Sequence, residues 1–483
     1  MKRELGFVVA CALSAWILLA PATARAAPTF TVDSTLDQID DDVTDGVCHT
    51  AAGTCTLRAA VMQANRMLNA GAAIVLPAET YVLTRGPLGA DDETNGDLNL
   101  TAPTSGNPVI TISGSGATTA IIDANGLDRI FNVDATRTAH VSGVTLRNGL
   151  VVAGSGGAIA NAGVLVLDHC VISRNTGMSS DSYTSKGGGI YNSGTLQLTN
   201  VTLDHNEGDF GGAIYNSGDL SIDLSSLSNN LGHRNGGGIT SDGGPLHVDR
   251  STFTGNSSLY GGAIGGAGYI NRSTLTGNSA FYGGAIDVAA ATYIVNSTLA
   301  GNTADRGGAI YAGADVSIFN STVVYNQVGA GGQGAGIYNA AGTAAVHNTI
   351  LAGNVITGNV LPEDNGYEDC WGALNAYGNN RFSDTTGAFF SNCQPTQVGT
   401  GMASNITSYS ELGALQNNGG PTPTYALVSP SDMIDGTDPA VACVDGYGNP
   451  LLTDQRGDPR VFGVRCDIGA FEYDDTIFRN GFE

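Results

Sequence analysis

Eight eleven-residue stretches between residues 165 and 354 place hydrophobic and polar side chains in the same order, and each ends in asparagine. They run from LVLDHCVISRN (165 to 175), LQLTNVTLDHN (196 to 206) and LSIDLSSLSNN (220 to 230) to AAVHNTILAGN (344 to 354), and align without a gap. The third column reads Leu167, Leu198, Ile222, Val248, Ile270, Ile294, Ile318 and Val346, and the eighth reads Ile172, Leu203, Leu227, Phe253, Leu275, Leu299, Val323 and Leu351. Columns so uniformly apolar face an interior. A third apolar column, Ile159, Ile190, Ile214, Ile239, Ile264, Ile286, Ile310 and Ile337, follows a glycine pair in every copy but the last, where the phrase is Gly334-Ala335-Gly336. The recurrence of several short alternating strands every two dozen residues or so, with glycine at the corners, predicts a right-handed single-stranded parallel β-helix of the pectate-lyase-like solenoid type. In such a solenoid each coil bonds to the coils above and below.

The last column, Asn175, Asn206, Asn230, Asn256, Asn278, Asn302, Asn326 and Asn354, predicts a ladder of amides hydrogen-bonded from coil to coil. A solenoid must also close its two ends, since open strand edges recruit other chains. The run TLRAAVMQANRMLNA places Leu57, Ala60, Val61, Ala64, Met67 and Leu68 on one helical face, as an N-terminal lid would require. Beyond about Val355 the period is lost and the sequence reads as an irregular C-terminal cap. The expected divisions are a signal segment (1–26), an N-terminal cap with the first coils (27–108), the repeats (109–354), the C-terminal cap (355–473) and a tail (474–483).

Composition sharpens this picture. With 69 Gly, 42% hydrophobic and 13% charged residues, the chain is too apolar for disorder and too rich in glycine for helical bundles. Lys2 and Arg3, the apolar run Phe7 to Ala20, and Ala24-Arg25-Ala26 read as a secretory signal with cleavage before Ala27. No lipobox surrounds Cys11, and no later stretch is long and apolar enough to form a transmembrane helix. Without Lys2, Arg3, Arg25 and Glu4, seventeen basic and forty-three acidic residues leave a formal charge of −26. That charge argues against nucleic acid as a partner. An exported monomer with a polysaccharide or cell-surface glycan as partner fits. Export also permits disulfides, and Cys48 with Cys55, Cys370 with Cys393, and Cys443 with Cys466 are the pairs close in sequence. Cys170, inside an apolar run, reads as a small buried side chain.

Three further segments carry family resemblances. DGVC at 45 to 48 and CTLRAA at 55 to 60 resemble the opening of CSLREA-domain proteins, with Ala59 where that motif has Glu. The GGAI phrase followed by Asn resembles the polymorphic outer-membrane protein repeat, and LQNNGGPTPTYAL, TDQRGDPR and CDIGAFEY resemble a choice-of-anchor Q region. The ending DTIFRNGFE is similar to short C-terminal tags of exported proteins. These resemblances imply a secreted or surface-associated β-helix of a Gram-negative bacterium, and no particular activity.

Candidate chemistry is sparse. Leu167-Asp168-His169-Cys170 resembles a pectate-lyase strand, with Lys186, the only lysine after residue 26, as a candidate base. Yet Asp168 shares its column with Thr199, Asp223, Asp249 and Asn271, as an ordinary coil residue would. Asp91, Asp92, Glu93 and Asp97 gather oxygen ligands that Ca²⁺ would accept, against the plainer reading of a solvated acidic turn; no cofactor is otherwise required. The GAGGQG of 329 to 334 precedes a strand rather than a helix and reads as a loop between coils. The residues before successive glycine pairs, Phe210, Asn235, Tyr260, Tyr282 and Arg306, form a line on which sugar faces can stack, although rings also align in solenoids for purely structural reasons. Tyr191, Tyr215, Tyr311 and Tyr338 form a second, interrupted line. The sequence therefore predicts an exported structural or glycan-binding β-helix, with a polysaccharide lyase or glycoside hydrolase as the alternative.

Overall fold

The computed structural model describes residues 27–67, 71–87, 92–101, 106, 108–179, 184–266, 268–358, 368–383, 393–398, 403–405, 411–438 and 443–474. The expected signal segment, Leu68, Asp91 and the tail from 475 onward lie outside these residues. Within them the protein is a right-handed parallel β-helix of about 10 turns.

One coil illustrates the rest. Ile190–Asn192 forms a first face, Thr195–Thr199 a second, Thr202–Asp204 a third and Glu207–Phe210 a fourth. Each face pairs in parallel with its counterpart one coil on, as Leu198 does with Ile222, Leu203 with Leu227, and Ile190 with Ile214. The three apolar columns are therefore vertical stacks, and Leu203, Leu227 and Phe253 are fully buried neighbours. Alternation along each strand sends every second side chain into the core.

Corners between faces are where the backbone loses its regular partners. In the coil of Gly211, that glycine sits at φ +70°, and a Cβ there would lie 2.1 Å from the carbonyl oxygen of Ile214. Only glycine fits this turn. At the corner after the third face the asparagines do the work. Asn206 Nδ2 donates to Asn230 Oδ1 at 3.0 Å and to the Ile172 carbonyl at 2.8 Å. Its Oδ1 accepts from both the backbone N–H and Nδ2 of Asn175. The same contacts carry the ladder through Asn256, Asn278, Asn302 and Asn326 to Asn354. All are buried. A second ladder runs through the hydroxyls of Ser225, Ser251, Ser273, Ser297 and Ser321, each accepting from a backbone N–H one coil below at 3.0 to 3.1 Å.

At the N-terminal end, the helix Leu57–Asn65 closes the core and is buried along its whole length. Thr56 caps it by accepting from the Ala59 N–H at 3.2 Å. Arg58, from the CTLRAA motif, is a buried ion-pair partner of Asp37, with Nε 2.6 Å from Oδ1, and also donates to the carbonyls of Gly96 and Asp97. Cys48 and Cys55 are disulfide-bonded beside it.

The coils do not stop at Asn354. Cys370–Tyr377 runs through a corner and pairs with both Ile337–Asn339 and Ala344–His347, joining the first two faces into one sheet. Asn380–Phe382 extends the third face. The ladder ends here on a carboxylate: Asn354 Nδ2 donates to Asp369 Oδ1 at 2.9 Å, and Ser383 N–H to Oδ2 at 2.6 Å. Burial pushes the Asp369 carboxyl up to about 6.

Residues 411–438 and 443–474 lie along the third face, with Tyr447 reaching Tyr269 and Tyr293 of the second, rather than across the end. Leu412, Leu427, Met433, Ile468 and Phe471 pack on Ala300, Val324, Ile350 and Ala352. Gln455, fully buried, donates to Thr274 Oγ1 at 2.8 Å and accepts from Thr298 Oγ1 at 2.6 Å. The TDQRGDPR and CDIGAFEY motifs thus form a clip: Asp454 accepts from the Arg456 side chain and the Glu472 N–H, and the Arg456 guanidinium lies 3.8 Å from the centre of the Phe471 ring. Cys443 and Cys466 are disulfide-bonded within it. Cys370 is also disulfide-bonded, while the side chain of its expected partner Cys393 lies outside the described residues.

Replacing Asn278 by Leu strands the Asn256 N–H, one Asn256 amide hydrogen and the Phe253 carbonyl. At about 1–3 kcal/mol for each buried unsatisfied group, we expect a loss of roughly 3 kcal/mol or more in denaturant unfolding. An unchanged midpoint would refute the ladder's role.

Candidate functional site

The lyase-like pair does not converge. Asp168 ends a strand of the second face, between Ser142 and Thr199 in neighbouring coils, and pairs with His169 at 2.8 Å. Lys186 bridges Ser155 and Phe210 on the fourth face, and its Nζ lies 2.9 Å from the Tyr215 hydroxyl. The column argument for Asp168 therefore agrees with its place in the coil.

The acidic turn is spent on arginines. Glu93 pairs with Arg66, the Asp97 carboxylate with Arg129, and Asp92 accepts from the Thr94 N–H and hydroxyl. Among the described residues no group of three or more His, Cys, Asp or Glu side chains is arranged to hold a metal ion.

The ring line, by contrast, is continuous in register. Lys186, Phe210, Asn235, Tyr260, Tyr282, Arg306 and Gln333 pair successively along the edge of the fourth face. Tyr260 and Tyr282 stack with centroids 5.1 Å apart and planes 12° from parallel. Phe281 meets Tyr282 edge-on at 4.7 Å, and is 43% exposed, with Tyr260 at 38%. Asn235 separates Phe210 from this pair, its side chain lying over Gly265, where a Cβ would be 1.5 Å from Asn235 Oδ1.

The second tyrosine line joins the first. Tyr311, Tyr338 and Trp371 stack in three successive coils at 5.3 and 6.3 Å, and Tyr282 meets Tyr311 edge-on at 5.0 Å. The Arg306 guanidinium lies 5.5 Å from the Tyr338 ring centre, within range of a cation–π contact. Between the two halves of this line, Thr240, Gly265 and Asp287 stand where rings would continue. Phe281, Tyr282, Asp305 and Arg306 open onto a cleft of about 220 Å³ walled by Gly329 to Gly332. The GAGGQG segment is thus the bulged end of a strand, Gln327–Gln333, and shapes the cleft.

Asp287 is the chemically unusual member. It is 8% exposed, and burial alone pushes its carboxyl up to about 6. Sequence reasoning missed it, as it missed Phe281, Trp371 and the position of Lys186 at the head of the line. The register of Asp287 with Tyr311, one residue after a glycine-pair isoleucine, was the available signal.

No family model and no curated protein sequence matches the chain. Among solved structures it is similar to a mannuronic acid specific polysaccharide family 6 lyase from human gut microbiota, at 11% identity and a TM-score of 0.31, over 68% of this chain and 86% of that one.

The raised Asp287 carboxyl gives a pH test. Folding favours its protonated form, so its contribution is most favourable below the ordinary carboxylate range near 4 and is lost as pH rises through about 6. Relative to wild type, Asp287→Asn should gain on the order of 3 kcal/mol in unfolding free energy between pH 4 and pH 8. A difference that stays constant with pH would contradict the assignment.

Proposed function

We propose that this protein is an exported, surface-associated β-helix that binds glycan along the fourth face, through the rings of Tyr260, Phe281 and Tyr282 and the adjoining Tyr311, Tyr338 and Trp371. The observation that carries the reading is the exposed Tyr260–Tyr282 stack beside an arginine-lined cleft. Rings inside the core need no ligand, but Tyr260 and Phe281 leave apolar ring surface to water in adjoining coils. A sugar covers such surface with its C–H groups while its hydroxyls bond to the polar rim, and here Asp305, Arg306 and Gln333 form that rim. The signal-like first 26 residues and the paired cysteines support export.

Catalysis on polysaccharide is the second reading, and Asp287 favours it, because a carboxyl that holds its proton to about pH 6 is suited to general acid work. The two readings separate by incubating the protein with uronate-containing and neutral polysaccharides and following absorbance near 235 nm and new reducing ends. Turnover would establish an enzyme.

For binding, Tyr260→Ala and Tyr282→Ala should each weaken retention on the recognised polysaccharide in affinity electrophoresis by roughly tenfold, with melting temperature little changed. Tyr447→Ala, which removes a ring of the C-terminal clip stacked on Tyr269 of the second face, should leave retention alone. Equal retention of all three variants would move the site elsewhere.

A further inference from the structure

The charges on the line bear on what kind of glycan it takes. The chain is strongly acidic, at −24 overall, and its arginines are mostly committed to carboxylates: Arg58 to Asp37, Arg147 to Asp123, Arg250 to Asp223, Arg272 to Asp249. Lys186 and Arg306 differ. Among the described residues neither has a carboxylate within ion-pair distance, and both stand in the column that carries Phe210, Tyr260 and Tyr282.

Their settings hold them open. One Lys186 hydrogen bonds the Tyr215 hydroxyl, which in turn donates to Asp242, while the ammonium lies 4.4 Å from the Tyr215 ring centre. An ammonium has three N–H donors, so two remain for a ligand. Arg306 rests on Tyr338 and opens into the cleft, leaving the fork of its guanidinium available for a planar anionic group. The seven members of the column, from Lys186 to Gln333, include two cations and no carboxylate. The nearby acids are Asp242, bound to Tyr215; Glu207, paired with His233; Asp209, buried and bound to Ser185; Asp287, buried beside Tyr311; and Asp305 at the cleft.

We infer that the line between Lys186 and Arg306 is a subsite for a linear anionic glycan, one whose carboxylate or sulfate groups meet a cation at each end while its sugar rings lie on the tyrosines between. This rests on the glycan-binding reading above and adds the charge of the ligand and the direction in which it lies, along the β-helix axis. The dimensions agree. Five coil steps separate Lys186 from Arg306, about 24 Å at the spacing of paired strands. One coil step is close to the length of one sugar in an extended chain, so about five sugars span the two cations.

The overall acidity makes the two cations decisive. A polyanion approaching this surface is repelled everywhere except where a local cation outweighs the background, and salt weakens both effects. Binding should therefore depend on both side chains and on ionic strength.

The test is affinity electrophoresis and calorimetry of the mature chain with polygalacturonate, its carboxyl-reduced counterpart and dextran sulfate, each over a sodium chloride series. We expect at least one of the two anionic polymers to bind and the reduced polymer to bind more weakly. Lys186→Gln and Arg306→Gln should each weaken binding about three- to fivefold and flatten its salt dependence, with Lys186→Arg restoring it. Both residues are at the surface, and unchanged melting temperatures will verify that the variants fold. If the reduced polymer binds as well as the native one, or the double variant retains full affinity for the anionic polymers, the inference fails while the ring-based reading stands. If none of the three polymers, nor any neutral polysaccharide in the panel, is retained, both fail together. Which anionic polymer binds distinguishes carboxylate from sulfate.

Discussion

Every corner of a β-helix buries backbone groups that cannot be satisfied within their own coil, and in this protein coils satisfy one another's. The asparagine ladder is the plainest case. Each amide accepts twice from the coil below, and donates once to that coil and once to the coil above, so that no side chain in the run is complete without its neighbours. The serine ladder does the same work at the preceding corner with a single hydroxyl. A buried polar group left without a partner costs more than a made hydrogen bond contributes. That asymmetry fixes the coil register as strictly as the apolar columns do. It also sets the rule for ending the stack, since the last amide needs an acceptor, and Asp369 supplies one where no further asparagine is available.

This vertical dependence explains how far the sequence could be read. Because Leu203, Leu227 and Phe253 occupy one environment, they recur at one interval, and the interior, the glycine corners and the ladder are all visible as columns. Features that occur once have no column to reveal them. Asp369 and Trp371 follow the stretch where the period lapses, and the side-on course of residues 411–438 and 443–474 is invisible in their own sequence. The face they cover does carry a trace. The outward column that reads Asp204, Ser228, Thr254 and Thr276 in the earlier coils turns to Ala300, Val324 and Ala352 where the C-terminal clip lies against it. An outward position that loses its polarity partway along a repeat is a position with something on top of it.

The candidate site obeys the same logic with opposite consequences. Tyr260 and Tyr282 were legible because they precede glycine pairs, while Lys186, read only as a candidate base, was not placed in the line because the spacing leading to its glycine pair is longer than in later coils. Phe281 belongs to a coil whose fourth face is interrupted, with isolated bridges at Ser279 and Tyr282 in place of a continuous strand. Such irregularity does not weaken the core, since the Ile286 and Leu275 columns pass through it undisturbed. Variation falls on outward positions, whose side chains enter neither the core nor the ladders.

That separation bears on how a solenoid acquires a binding surface. Core columns and ladders tolerate little change, because each member answers to two neighbours. The residue at this edge of the fourth face enters neither the core nor a ladder: Lys186, Phe210, Asn235, Tyr260, Tyr282, Arg306 and Gln333 share a backbone position and range from cation to aromatic to amide. A position that is structurally fixed and chemically free, presented once per coil, is a natural reader of a polymer that also repeats about once per coil. On the reading proposed above, the fold supplies the spacing and the side chains at this one column decide what lies along it.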